Sequence, residues 1–350
     1  MYDTIVIGAG QAGLATGYYL KKIKQNFLII DKGKEVGESW MNRYNSLVLF
    51  TPRMYNALPG LTLEGEMHGF PRKDEIVKYL KQYVNRFELP IQFQTEVVKI
   101  EHQQGKFIIE TNQGTFQSNQ VIVATGAFQT PRIPSFSSNI SKDVFQIHST
   151  QYKNPSQLKE GNVLVVGGGN SGAQIAVELS KEKETHFAIS KKINYLPLVL
   201  QKKSIFWWFD KLGILKVSAH SFLGKAIQKK GDPIFGYELK DALKRKELSL
   251  KPRVINGIQN EVTFEDQTTI KVQNIIWATG FQSIYPWLKI DKLFNADGKI
   301  IHHRGVTNVK GLYFIGLPWQ HRRGSALLQG VGFDADFIIN HLNNQTVKAK

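Results

Sequence analysis

The apolar and polar positions of this chain spell one unit twice. Residues 4–7 (TIVI) are a short apolar run, GAGQAG follows from Gly8, and LATGYYLKK predicts a helix before a second apolar run, FLIID, ends at Asp31. Residues 163–166 (VLVV) start the same series: GGGNSG from Gly167, a helical AQIAVELSK, and the run THFAIS, which ends at Ser190. Strand, glycine turn, helix and strand make a βαβ unit, so the chain reads as α/β with a parallel sheet around each loop. Residues 91–120 alternate apolar and polar, with turn residues between them, and predict a small antiparallel meander.

The glycine spacing gives each loop a chemistry. Gly8 permits the sharp turn, Gly10 lets the backbone approach a pyrophosphate, and Gly13 lets the helix sit against its strand; Gln11 and Ala12 start that helix, whose N-terminus faces the phosphate charge. Asp31, followed by Lys32, can accept hydrogen bonds from ribose hydroxyls and repels a 2′-phosphate, so the first site suits FAD or NAD. Gly167, Gly169 and Gly172 repeat the register, with Asn170 and Ser171 opening the helix. Here the strand ends in Ser190, Lys191 and Lys192, a hydroxyl and two ammonium groups, which suit the 2′-phosphate of NADPH. A solvated basic turn is the competing reading of those lysines. Two unlike loops imply two unlike dinucleotides, and a chain that holds a flavin and NADPH can pass hydride from one to the other.

Composition narrows the choice. Hydrophobic residues make up 42% of the 350, enough for two ordinary cores, and no apolar run approaches the roughly 18 residues of a membrane span. The first strand starts near the N-terminus, without a basic region and apolar core of signal type, which leads to the expectation of a cytoplasmic protein with no integral membrane segment. The formal charge of +16 comes from scattered residues and suits anionic coenzymes; it gives no reason to expect nucleic acid. The sequence contains no cysteine, which argues against a dithiol relay, and no spacing suggests a metal site.

Several further stretches accompany the loops: GESWMNRYNSLVLFTP at 37–52, VIVATGAFQTPRIP at 121–134, HSTQY at 148–152, IIWATGF at 275–281, and GLYFIG with GSALLQGVGFDADFI at 311–338. With them the chain resembles the flavin-dependent monooxygenases of the two-dinucleotide-binding-domain superfamily, and more closely the small bacterial CzcO-like flavoproteins. The resemblance implies two Rossmann-like three-layer domains, an NADPH domain at 156–280 inserted into a discontinuous FAD domain at 1–155 and 281–350. The two ATG segments mark the crossings and bring Ala124, Thr125 and Gly126, and later Thr279 and Gly280, beside the cofactors. The backbone of Val97 is expected at the adenine. Around the isoalloxazine the resemblance puts Trp40, Arg43, Thr51 and Pro52, with Gly37 letting the backbone pass close; Glu38 stands where the family usually has a second glycine, while Tyr44 matches. At the C-terminal end Gly316 closes a strand and is followed by Leu317 where many relatives have Asp. Ser325 is expected to cap a long helix whose first amides, near Leu328, face the flavin; His321, Arg322 and Arg323 read as pocket lining or as a basic loop. His148 and Tyr152 fit the monooxygenase fingerprint FxGxxxHxxxW, whereas Lys142 and Val144 occupy its Phe and Gly positions.

The function implied is that of an FAD-dependent, NADPH-using monooxygenase. Reduced flavin would take up dioxygen as a C4a-hydroperoxide, which would oxygenate a small nitrogen or sulfur nucleophile, with no nucleophilic side chain. An NADPH oxidase or electron-transfer reductase, and a flavin-binding accessory protein linked to metal-cation efflux, remain alternatives; a homodimer is left open. Residues 196–236, apolar and aromatic positions separated by lysines, read as a helical substrate lid, a dimer contact or a patch resting on a membrane.

Overall fold

The computed structural model describes residues 1–348 and builds two sheets on one plan. In the first, Tyr2–Ile7 lies between Phe27–Ile30 and Gly114–Val123, parallel to both, and Leu312–Phe314 pairs in parallel with the far side of Gly114–Val123. In the second, Val163–Val166 lies between Thr185–Ala188 and Asn274–Trp277, again parallel to both. Each glycine loop thus leaves a central strand between neighbours on either side, which opens a crevice at the strand's carboxyl end.

Both central strands are covered on both faces, which is why they read as unbroken apolar runs rather than alternating ones. Val6, Ile29 and Ile122 pack with Leu14 and Leu20 of the helix Gln11–Lys22 and with Ile338 of the helix Leu328–Lys348. Ile5, Ile7 and Val121 point the other way, onto Phe107 and Ile109 of the meander Val97–Gln103, Lys106–Thr111 and Gly114–Val123. The second sheet repeats this. Val163, Val165 and Ile276 face Ile175 and Leu179 of the helix Asn170–Leu179, while Leu164, Val166 and Trp277 face Val262 and Phe264 of a three-stranded antiparallel sheet. Each unit is therefore helix, parallel sheet and β-meander, a three-layer Rossmann-like build.

Three departures from the sequence reading have physical causes. The chain joins the second sheet at Phe145–His148, which pairs with Asn274–Trp277, upstream of residue 156. That strand is at the sheet edge and mostly half-buried, so it carries little apolar signal. Ile91–Gln92 is not part of the meander; it extends the main sheet in parallel beside Phe27–Ile30. Residues 196–236 are not wholly helical: a hairpin, Val199–Leu200 with Lys203–Ser204, precedes the helices Ile205–Lys211 and Phe222–Lys230, and Ile234–Phe235 returns to pair with Tyr195–Leu196. Among the described residues no helix is long and apolar enough to cross a membrane.

Candidate functional site

The two glycine loops have the same geometry in three particulars. Gly8 and Gly167 have φ of +109° and +127°, and a Cβ on them would lie 2.7 Å from the Ala124 carbonyl oxygen and 2.2 Å from that of Ala278. Gly13 and Gly172 sit so close to the turn that a Cβ would come within 1.8 Å of the Gly8 oxygen and 2.1 Å of the Gly167 oxygen. Gly10 and Gly169 differ from these. Each is the N-cap of its helix in extended conformation, and a Cβ there would meet nothing within 4 Å. Four of the six glycines are required by protein packing, and the other two leave an open cradle at a helix N-terminus, where an anion fits.

The strand ends that follow are opposite in charge. Asp31 receives the Ala9 N–H on Oδ2 at 2.5 Å and the Gly33 N–H on Oδ1 at 2.6 Å, so it is fixed beside the first turn with a lone pair on each oxygen still to use. Lys32 is exposed next to it. Val97 starts the meander close by: the Thr95 N–H donates to the Asp31 carbonyl at 2.9 Å. In the second unit a cavity of about 220 Å³ is lined by Gly168, Ser190, Lys191, Lys192, Lys230 and Asp232. Lys230 and Asp232 come from residues 196–236, an insertion within the second unit, and nothing in their local sequence tells them from its other charged residues.

Residues 37–56 wrap over the first loop. The Trp40 indole N–H donates to Gln11 Oε1 at 3.3 Å, and Gln11 Nε2 donates to the Ala326 carbonyl at 3.1 Å, tying the wrap, the first helix and the C-terminal segment together. Gly37 adopts φ +84°, and a Cβ there would lie 3.2 Å from Val77 Cγ1 of the helix Lys73–Phe87, so a turn packed against protein already requires a glycine at this position. Glu38, in place of the family's glycine, accepts the Lys34 N–H at 2.6 Å and closes that turn. Thr51 and Pro52 are buried, and Asn56, which sequence reasoning missed, donates to both their carbonyls at 2.7 and 3.2 Å. Tyr44 crosses to the second unit, where its hydroxyl donates to Gln174 at 2.8 Å beside Ser171; burial pushes its phenol well above the usual range.

Arg43 lies where the crossings meet. Its guanidinium is 4.8 Å from the Phe128 ring centre and 5.5 Å from that of Phe281, and burial lowers its affinity for a proton. Among the described residues no carboxylate pairs with it. The two crossings themselves run antiparallel, Phe281 opposite Pro131 and Gln282 opposite Thr130; Thr279 donates its hydroxyl to the Arg132 carbonyl, and Gly126 and Gly280 take φ of +71° and +81°. Gln129, also missed, donates to Thr125 Oγ1 and the Gly126 carbonyl at 2.9 Å. His148 is buried against this ribbon. Its Nδ1 accepts the Thr150 N–H at 3.3 Å, which leaves Nε2 to donate to the Gly280 carbonyl at 3.1 Å. Burial, with Arg43 nearby, holds it below the usual imidazole range, as a neutral hydrogen-bonding residue. Tyr152 is fully buried with its hydroxyl on Glu178.

At the C-terminal end Gly316 has φ +78° and faces the Ala12 methyl, where a Cβ would be at 3.0 Å. Ser325 does not cap the long helix. Its hydroxyl accepts the His321 and Arg322 N–H groups at 3.1 Å inside a 3₁₀ turn, Arg323–Ala326, and the helix starts at the buried Leu328. The reason is the intervening turn, which turns Ser325 back on its own loop. That loop reaches the insertion, with the His321 carbonyl accepting from Ala219 at 2.7 Å and Arg323 paired to Asp232. The insertion in turn packs Phe206 and Phe235 on Phe50, the residue before Thr51, with the Phe50 and Phe235 rings stacked at 4.6 Å.

Similarity to known proteins agrees with this geometry. The sequence profile of the pyridine nucleotide-disulphide oxidoreductase family matches residues 5–194. The oxidoreductase CzcO of Bacillus velezensis is 62% identical over 98% of this chain and 99% of its own length. The probable indole-3-pyruvate monooxygenase YUCCA4 of Arabidopsis thaliana is 26% identical over 98% of this chain and 90% of its own. Among solved structures, the flavin-containing monooxygenase from Stenotrophomonas maltophilia superposes with a TM-score of 0.83 at 25% identity, covering 99% of both chains.

Proposed function

The chain belongs to the pyridine nucleotide-disulphide oxidoreductase family, and from that membership we propose that it oxygenates a small, soft nitrogen or sulfur nucleophile at the expense of NADPH and dioxygen. It is an enzyme, an FAD-dependent oxidoreductase of monooxygenase type, with FAD and NADPH as its cofactors. What supports our assignment of two sites most is the pair of open glycine cradles, Gly10 and Gly169, at two helix N-termini whose following strands end in opposite charge.

In this reading FAD belongs to the first unit and NADPH to the second, which takes in the strand Phe145–His148 as well as the inserted residues up to the second crossing. When bound, the flavin and nicotinamide supply hydride transfer and activation of dioxygen, chemistry that no side chain of this protein provides. The first-turn amides after Gly10 and Gly169 face the pyrophosphates. Asp31 accepts from ribose hydroxyls and excludes a 2′-phosphate from the first site; Ser190, Lys191, Lys192 and Lys230 receive that phosphate in the second. The Trp40, Gln11 and Ala326 chain of hydrogen bonds holds the wrap over the flavin side, and the stacked Phe50, Phe206 and Phe235 keep water out of its outer wall. Arg43, a half-buried cation with no carboxylate partner among the described residues, attracts an anionic part of either coenzyme.

Anaerobic mixing with NADPH, followed by labelled dioxygen and an aliphatic amine or thioether, tests the reading. Label in the product is the expected result. Hydrogen peroxide equal to the NADPH consumed, with unlabelled substrate recovered, would make the protein an oxidase instead.

A further inference from the structure

Residues 196–236 expose five large apolar side chains within one short stretch of chain. The hairpin tip exposes Val199 and Leu200, the end of the helix Ile205–Lys211 exposes Leu212, and the helix Phe222–Lys230 exposes Leu223 and leaves Phe222 93% accessible. These side chains are not loose ends of an unformed segment. Trp208 ties the hairpin to the helix by donating to the Leu200 carbonyl at 3.1 Å, and Gly224 seats the second helix so tightly on Ser218 that a Cβ would come within 2.0 Å of its carbonyl oxygen. With Gly224 turned inward, helical periodicity turns Phe222, Ala226 and Lys229 outward, so the free face of this helix carries an apolar first turn and a basic last turn.

Charge selects the occupant. Lysines 202, 211, 216, 225 and 229 of this segment are exposed and line neither candidate cofactor site, whereas both of its carboxylates are engaged within the protein: Asp210 accepts from the Tyr55 hydroxyl at 3.2 Å and Asp232 is paired with Arg323. A second copy docked about a two-fold axis would set these lysines against themselves. A nucleic acid would satisfy the lysines but leave Val199, Leu200, Leu212 and Leu223 without partners, since Phe222 is the one aromatic among the five exposed apolar side chains on which a base could stack. An anionic lipid surface satisfies both sets at once, since phosphates meet the ammonium groups while the apolar side chains enter the acyl boundary. We propose that this face docks the protein reversibly on an anionic membrane surface. The inference stands apart from the flavin chemistry, because none of the side chains that carry it lines the candidate cofactor sites.

Co-sedimentation of the full chain with vesicles tests it. Vesicles of phosphatidylcholine with phosphatidylglycerol should bring down the protein and pure phosphatidylcholine should not, and binding should fall steeply near 0.5 M salt, about where screening shortens to a few ångströms. The double variant F222S/L223S alters side chains in contact with water, so its fold is preserved, and it should lose about tenfold or more in binding; K225E/K229E should lose a similar amount. Failure of the wild type to sediment with anionic vesicles, equal recovery with both vesicle types, or unaltered binding by F222S/L223S would overturn the proposal. So would a dimer that this variant dissociates in sedimentation velocity, or retention of a short duplex as tight as that of the vesicles.

Discussion

Arg323 and Asp232 join the C-terminal loop to the cavity beside the second glycine loop. Nη2 lies 2.9 Å from Oδ1, and the guanidinium lies 5.3 Å over the Phe235 ring. Asp232 lines the same cavity as Lys191, Lys192 and Lys230, so without its partner it would set a free negative charge beside the proposed 2′-phosphate. Replacing Arg323 with alanine should therefore weaken NADPH by about 1 kcal/mol, roughly fivefold, the scale of a half-exposed charge contact. NADH should be unaffected, and adding D232N should restore NADPH. Flavin reduction followed against coenzyme concentration measures all three.

The lysines themselves give a larger effect. K191A/K192A should weaken NADPH by about 2 kcal/mol at low salt, the value of charge-assisted hydrogen bonds discounted for their exposure, and leave NADH unchanged. Equal loss for both coenzymes would mean a general phosphate or folding effect.

The glycines separate binding from folding. G10V adds atoms to open space at ordinary φ, so the variant should keep native circular dichroism and lose its yellow colour. G13A drives a methyl into the Gly8 carbonyl at 1.8 Å and should cost roughly 3 kcal/mol in urea unfolding, the upper range for overpacking. A yellow G10V protein would remove the first cradle from the FAD site.

His148 makes stability depend on pH. Burial lowers its proton affinity below that of an ordinary imidazole, so the folded state favours the neutral ring and the unfolded state takes up the proton first. Its contribution is complete above the unfolded value and is lost as pH falls through the folded one; His186, His302 and His321 are shifted the same way and add to the slope. Urea unfolding should show stability falling from neutral pH towards about pH 5. H148Q should be less steep over that interval.

Much of this was legible because glycine and charge act locally. The turn at Gly8, the tight seat of Gly13 and the contrast of Asp31 with Lys191 and Lys192 follow from residues a few positions apart, and so does the doubled βαβ plan. What was not legible depends on distant neighbours. Gly37 meets Val77, Ser325 turns back on His321 and Arg322, and Lys230 reaches the cavity only because Ile234–Phe235 folds back beside Tyr195–Leu196. Asn56 and Gln129 act through backbone carbonyls of neighbouring residues, and a lone amide in a loop gives no signal of that.

The antiparallel ribbon of the two crossings also has a mechanical consequence. Because Phe281 pairs with Pro131 and Gln282 with Thr130, one connector cannot slide along the other without breaking the Arg132 N–H bond to the Gly280 carbonyl. The paired connectors resist shear and stretching far better than two separate strings would, and they yield most readily to torsion about their common axis. Rotation of one sheet against the other is thus the displacement this ribbon opposes least, with Gly126 and Gly280 at its two ends.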